Sequence, residues 1–405
     1  MKYFKQAWVF FFAIVFTSCI GGCSMKGKTL PGGWLEFEGK DANITRPGTH
    51  ANIFYLNWGQ AFAWAKYDAK EQTLKVETSR FGYSDGSWNE FRDLDWQMST
   101  PDFKTFLLYQ GRGINLYREP NSIKPVIELV DLNYDDGANW MWVNPDYTKA
   151  LIPLSRTVKM DDDFFFGGTP LIPFHIDLVK GTYTTEPMDH FADSYLGPDF
   201  ILWRHYTHDK EKGAKPSHFT ATDFEMKEKD LPLVHLLNRY NDSLPDFQRE
   251  FKISAQGWAL LGVSSPKTTT QVFLVDPSEK GRILPLFETG IYALPDMSKC
   301  AISEDGQYFA IRTENHESFP NAKGTIIHLG RVEKIGGHFL ARVTRIADFI
   351  DLALEPPVWI PGTHALTVVT NSIEFPSAIR IFDLDKHPVD WSKIPNATPV
   401  EGEKH

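Results

Sequence analysis

A chain of 405 residues with 42% apolar, 14% aromatic and 23% charged side chains is too hydrophobic for a disordered segment and long enough for two or three domains. Its formal net charge of −10, with no run of Lys or Arg, excludes nucleic acid as a partner, because a phosphate backbone needs a clustered cationic face.

In chain order, the first signal is "MKYFKQAWVFFFAIVFTSCIGGCS". Lys2 and Lys5 precede an apolar stretch from Ala7 to Ile20, and small residues then lead to Cys23, the three-part layout of a secretory signal. As a helix the stretch would measure about 21 Å at 1.5 Å per residue, short of the ~30 Å a membrane span needs. Ile20-Gly21-Gly22-Cys23 resembles the bacterial lipoprotein box, and Phe16-Thr17-Ser18-Cys19 is a poorer match to it. The resemblance implies cleavage after residue 22, lipidation of Cys23 and anchoring to a membrane. Ser24 in place of Asp implies the outer membrane, facing the periplasm. A plain signal peptide is the competing reading. Cys300 is then the only other cysteine left, so no intrachain disulfide is expected, and its place in a strand pattern marks it as inert core.

Residues 23–50 are rich in Gly, Pro, Lys and Thr and read as a tether with one docked piece at "WLEF". A body follows over 51–391, with a tail over 392–405. Six related phrases recur in that body: "WQMSTPDFKTFLLY", "WVNPDYTKALIPL", "YLGPDFILWRHY", "ISAQGWALLGVSS", "ISEDGQYFAIRTE" and "WIPGTHALTVVTN". Each runs from an apolar residue through a Pro/Asp/Gly turn into an apolar strand. Pro presets φ, Asp accepts the turn's N–H groups and Gly tolerates positive φ, so each phrase predicts a hairpin. The turn positions Asp102, Asp146, Asp199, Gln256, Asp305 and Thr363 are spaced by 44, 53, 57, 49 and 58 residues, enough for four strands and a loop. "TQVFLVDP", "GTIIHLG" and "AIRIFDLD" supply further strands. "FAWAKYD" with "QTLKVE" makes one more pair without the turn signature.

Repeated four-stranded units cannot cover both faces alone, and radial packing solves this. The expected fold is therefore an all-β propeller of four-stranded blades, seven by this count, with six or eight as the neighbouring numbers and a β-sandwich as the alternative. The phrases resemble the WD-like repeat of TolB-type β-propellers over roughly residues 95–385. Several copies lose the Asp or the Gly, and no amino-terminal TolB-like domain precedes them.

The candidate chemistry is thin. "GYSDG" fits a nucleophile elbow at Ser84, but "SWNEFRDLDW" lacks the helical stripe that must follow an elbow, so an Asp-Gly turn is expected. In "DLNYDDGANW", Asp131, Asn133 and Asp135 mimic a calcium loop until Gly137 falls one place late and Trp142 stands where Glu belongs. Asp161, Asp162 and Asp163 are the weak metal candidates, with Ca2+ the ion that would suit them. His205, His208 and Asp209 would converge on a metal only across a turn, and surface histidines are the expectation. Ligand contacts are expected on the approaches to the inner strands: Asn139, Trp140, Asp193, Tyr195, Glu250, Phe251, Ser298, Lys299, Glu355 and Trp359. The reading that follows is a lipid-anchored propeller binding an envelope protein or peptide. The alternative is a propeller hydrolase cutting a glycan or lactone with channel-facing carboxylates, for which the sialidase box is missing.

Overall fold

The computed structural model describes residues 23–38, 43–47, 54–58, 61–79, 94–99, 105–110, 113–118, 127–129, 137–138, 142–144, 146–155, 171–185, 192–209, 213–240, 249–264, 270–278, 281–289, 300–315, 324–350, 356–360, 362–370 and 378–396. Among these, no helix is long and apolar enough to cross a membrane.

The described strands form seven antiparallel sheets. The amino-terminal strands are β1 (Cys23–Lys26), β2 (Lys28–Thr29) and β3 (Trp34–Glu38). Sheet one combines β1 with β4 (Asn43–Pro47), β5 (Phe54–Trp58), β6 (Ala61–Asp68) and β7 (Thr73–Ser79). Sheet two holds β8 (Leu94–Ser99), β9 (Phe106–Gln110), β10 (Gly113–Tyr117) and β11 (Ile127–Leu129). Sheet three holds β12 (Gly137–Ala138) and β13 (Trp142–Val143), both paired with β14 (Lys149–Ser155), then β15 (Leu171–Asp177) and β16 (Thr182–Thr185). Sheet four has only β17 (Ala192–Leu196), β18 (Ile201–Asp209) and β19 (Gly213–Thr222), followed by helix α1 (Pro232–Tyr240). Sheet five is β20 (Arg249–Ile253), β21 (Ala259–Ser264), β22 (Thr270–Asp276) and β23 (Arg282–Thr289). Sheet six is β24 (Cys300–Ile302), β25 (Tyr308–Asn315), β26 (Gly324–Ile335) and β27 (His338–Phe349). Sheet seven joins β28 (Val358–Trp359), β29 (Ala365–Thr370) and β30 (Ala378–Asp383) to β3 and β2.

The first strands of successive sheets touch: β17 lies against β20, β20 against β24 and β24 against β28. They ring a common axis, and the architecture is a β-propeller. All six turn phrases are antiparallel hairpins joining a first strand to a second. The core lies between sheets rather than under one of them. In β29 the residues alternate sides: Leu366 and Val368 pack with Trp359 and Ile327 of the sheet-six seam, while Ala365 and Val369 pack with Leu74 and Tyr67 of sheet one. Both faces of β29 and β30 are therefore buried, which explains why "ALTVVT" and "AIRIF" are mostly apolar rather than alternating, with Thr367, Thr370 and Arg380 as the polar exceptions.

The expected fold, uniform four-stranded blades numbering seven, is corrected: only sheets two, five and six have four strands, and the others have three or five. Two physical causes account for sheets one, four and seven. In sheet four, a side chain stands in for the missing strand. Asn238 of α1 accepts the Phe219 N–H through Oδ1 (2.7 Å) and donates Nδ2–H to the Phe219 carbonyl (2.9 Å), so one amide pairs with the edge of β19 as a strand's peptide would. Leu233, Leu236 and Leu237 of α1 then cover the apolar side of that edge.

The second cause is the segment read as a tether. It supplies β1 to the outer edge of sheet one, where Cys23 is opposite Val76, and β3 to sheet seven, where Trp34 is opposite Phe382. The sheets thus draw on residues well before 51. The tail boundary moves as well, since Trp391 is buried beside Trp34 and Ile394 packs against the same core.

β3 is fixed by a largely desolvated ion pair. Arg380 donates from Nε to Glu36 Oε2 (2.7 Å) and from Nη1 to Thr370 Oγ1 (3.0 Å), while its guanidinium lies 4.5 Å from the Phe349 ring centroid. Removing one partner of such a pair strands the other charge, typically at about 3–5 kcal/mol. Glu36→Ala is therefore expected to lower unfolding free energy by about that amount, read as a reduced urea midpoint. Asn238→Ala leaves a donor and an acceptor of Phe219 unpaired and is expected to cost about 1–3 kcal/mol in the same assay, with Asn238→Asp only partly sparing it.

Candidate functional site

The hairpin turns that follow the first strands gather at one end of the axis, and their backbone sets what they can present. Gly257, Gly306 and Gly362 occupy the left-handed region at φ 90°, 67° and 68°. In sheet six, the Ser303 N–H donates to the Tyr308 carbonyl and the Gly306 N–H to the Ser303 carbonyl. Asp305 Oδ1 accepts from Ser303 Oγ (2.6 Å) and the Gln307 N–H (3.0 Å). Sheet three repeats the scheme: Asp146 Oδ1 accepts from Thr148 Oγ1 and the Thr148 N–H, and Tyr147 sits at φ 57°.

These turns also fasten one sheet to the next. Gln256 donates to the Asp305 carbonyl (2.9 Å), and Trp258 Nε1–H donates to the Gly306 carbonyl (3.0 Å). From the other side, Trp359 Nε1–H reaches the Ala301 carbonyl (3.2 Å), and the Gly362 N–H reaches Glu304 Oε2 (2.8 Å). Lys149 of sheet three pairs with Glu225 after sheet four, while Lys229 with Asp199 ties the sheet-four turn to the chain after β19. Burial pushes the Tyr147 hydroxyl above its ordinary range, and the Glu304 carboxylate adds to the shift.

His364 is the most specific group at this end. Its Nε2 lies 3.1 Å from Asp305 Oδ2 of sheet six and its Nδ1 2.9 Å from Asp385 Oδ1, just past β30. Only an imidazolium donates from both nitrogens, so the geometry selects the charged form. Burial pulls the other way, but the hydrogen bonds and charges of Asp385 and Asp305 outweigh it and raise His364 above its ordinary 6.5. On Asp305, burial is opposed by Ser303, Gln307 and His364, and the carboxyl ends below its ordinary value.

A second polar cluster lies between sheets five and six. Ser278 Oγ and Asp276 Oδ2 both meet His338 Nδ1, at 2.8 and 3.2 Å, and Arg282 Nε donates to the same Asp276 oxygen at 3.0 Å. A nucleophile triad needs the hydroxyl and the carboxylate on opposite imidazole nitrogens. Here they share one, and the cluster acts as a clasp.

The residues chosen from sequence fare unevenly. Tyr195 and Trp359, expected to face a ligand, are packed between sheets. Tyr195 meets Phe251 edge-on at 5.1 Å, and Trp359 is buried and bonded to Ala301. Phe251 is likewise buried. Asp193 lies in β17 and Glu250 in β20, near the strand ends away from the turns, with side chains outside the described residues. Asn139, Trp140, Ser298, Lys299, Glu355, Ser84 and the Asp161–Asp163 group lie outside the described residues. His205 is not a surface histidine: it is buried, bonds Thr220 Oγ1 at 2.7 Å and stacks on His218 at 4.4 Å. The side chains of His208 and Asp209 lie outside the described residues. Cys300 is buried, and burial pushes its thiol up to about 12. Among the described residues, no three His, Cys, Asp or Glu side chains are arranged to hold a metal. The sequence reading missed His364, Glu304 and Tyr147, although each lies inside or beside a turn it had aligned.

Fold and turn end together define the class as a β-propeller. No family model matches the chain, and no curated protein matches it. Similar solved structures include a functionally unknown protein from Desulfotomaculum acetoxidans DSM 771, at 12% identity over 80% of this chain and 90% of that one, with a TM-score of 0.43. Kluyveromyces lactis Hsv2 is 9% identical over 82% and 94%, with a TM-score of 0.43. A eukaryotic initiation factor is 8% identical over 86% and 87%, with a TM-score of 0.41.

The His364 bridge has a definite pH signature. A raised histidine stabilises fully below its unfolded value near 6.5, and its contribution is lost as pH climbs through the higher folded value. The melting temperature of the native chain is therefore expected to exceed that of His364→Gln at pH 6, with the gap closing as pH rises past 6.5 through the folded value. A gap constant from pH 6 to 9 would contradict the bridge.

Proposed function

We propose that this β-propeller, whose turns resemble TolB-type repeats, is a non-catalytic scaffold that binds an envelope protein or peptide while lipid-anchored at Cys23 on the periplasmic side of the outer membrane. One observation carries the reading: the reactive-type side chains at the turn end serve to lock neighbouring sheets. Both nitrogens of His364, both carboxylate oxygens of Asp305 and the Glu304 carboxylate are engaged in this way. The result is a stiff, polar face suited to presenting a surface.

The hydrolase alternative needs a carboxylic acid held above its ordinary value to protonate a leaving group. Among the described residues, the acids with a shift move the other way: Asp146, Asp177, Glu225, Asp276, Asp305 and Asp390 are all lowered. Hydrogen bonds and neighbouring cations give them ionised, fastening roles.

Cys23 is the first residue of β1, so an acyl group there would hold the edge of sheet one directly, with no free tether between lipid and fold. Two measurements test the reading. Cys23→Ala is expected to move the protein from the membrane fraction to the soluble fraction of a bacterial host. Affinity capture from solubilised envelope is expected to recover a partner with the native chain and to lose it with the Glu36→Ala protein above its unfolding midpoint. Capture of nothing by the native chain would overturn the scaffold reading.

A further inference from the structure

The seam between sheets six and seven opens outward into a shallow, open depression of about 400 Å3. Ile346 of β27, Phe382 of β30, Pro388 and Val389 give its lining an apolar part, beside Thr344. Arg345 and His387 also line it. The His387 ring is held in place: it stacks on Phe382 at 6.3 Å, and a Cβ on Gly33 would come within 2.6 Å of it. β27 is the outermost strand of sheet six, but at the cleft the Ile346 carbonyl already accepts the Trp34 Nε1–H (3.3 Å), so an occupant there is held by side chains.

We propose that this cleft docks an extended peptide segment of a partner protein that carries a carboxylate next to an apolar side chain. The proposal rests on the peptide-binding reading above and assigns it a place. Charge complementarity selects the occupant. In a chain of net charge −10, the cleft places a guanidinium and an imidazole beside an apolar lining, and a guanidinium takes a carboxylate in a two-pronged grip. Arg345 already pairs with Asp348 three residues on, but both side chains are substantially exposed, and such pairs are weak. Its five N–H groups also exceed what one carboxylate uses. Asp348 is therefore a competitor that an incoming acid displaces.

The test is selection of random displayed decapeptides on the full chain, followed by affinity measurement on the enriched sequences. Enrichment of Asp or Glu adjacent to Leu, Ile or Phe is expected. Arg345→Glu should weaken those peptides at least tenfold, Val389→Trp should abolish binding by filling the cleft, and Asp348→Asn should tighten binding a few-fold by freeing Arg345. Arg345 and Asp348 are exposed, whereas Val389 is half-buried against the core, so each variant's affinity is read only where its melting curve matches the native chain's. No enrichment, enrichment without acids, or affinities indifferent to Arg345→Glu and Val389→Trp would overturn the proposal. So would a gain of tenfold or more on deleting residues 397–405 alone, which would make the chain's own end the occupant. An envelope partner still captured by the Arg345→Glu protein would sink the cleft and leave the scaffold reading standing. Peptides that bind the cleft while the native chain captures no partner would do the reverse.

Discussion

A sheet in this protein has two greasy faces and can cover them only with its neighbours, so the last sheet must meet the first. Everything else in the architecture answers to that closure. It is made by β3, which inserts beside β30 and brings Trp34 into register with Phe382. Trp34 is almost fully buried, meets Phe349 edge-on at 5.1 Å and donates to the Ile346 carbonyl 312 residues away. Joining points so far apart in sequence carries a large loop-closure cost, and this contact order implies slow folding. The seam must therefore contribute heavily once formed. The buried Glu36–Arg380 pair and the layer of Trp34, Trp359, Phe382 and Trp391 are the means. Because β1 also pairs with β7, one amino-terminal segment ties sheet seven to sheet one.

The turns contribute at a second level. A Pro/Asp/Gly turn is a local device for reversing a strand, yet here its spare donors and acceptors point sideways into the next sheet. Gln256 and Trp258 reach forward to the sheet-six turn, and Trp359, Gly362 and His364 reach back to sheet six. Most of these links are single hydrogen bonds worth about 1 kcal/mol each. Their effect lies in direction: they fix the rotation of one wedge against another, which apolar packing alone leaves loose.

This division explains what the sequence made legible. Hairpins are local, and the six turn phrases carried enough Asp, Gly and Pro to be read without a structure. Strand number per sheet is not local. Nothing in "PLVHLLNRY" announces that Asn238 will pair with the edge of β19, and nothing in "WLEFE" says that its partner is β30. The candidate site suffered in the same way. Tyr195 and Trp359 are aromatic residues whose sequence positions point to a channel, but whether a strand residue looks inward or sideways depends on sheet twist, and both look sideways. His364 follows an aligned turn position directly. A reading that asked which turn side chains can reach the neighbouring turn would have found it opposite Asp305.

Sheet six then emerges as the member against which its neighbours are set. Its strands β26 and β27 run twelve residues each, the longest among the described strands. Gly330 lets the Phe309 ring lie on the β26 backbone, where a Cβ would stand 2.0 Å from Cζ. Sheet five is held to it by Trp258 against Phe309 and by the Asp276–His338 clasp. Sheet seven is held by Trp34, Trp359 and His364, and the chain after β30 is held by Arg342, which donates to the Trp391 carbonyl and to Asn396. A propeller closed by its amino-terminal strand needs one rigid wedge next to the seam, because any slack there is shared by both edges of the closure. The seam's own groove, bounded by β27 and the turn after β30, is consequently cut into a densely cross-linked part of the described ring. A groove of fixed shape spares an incoming chain the cost of ordering its receptor.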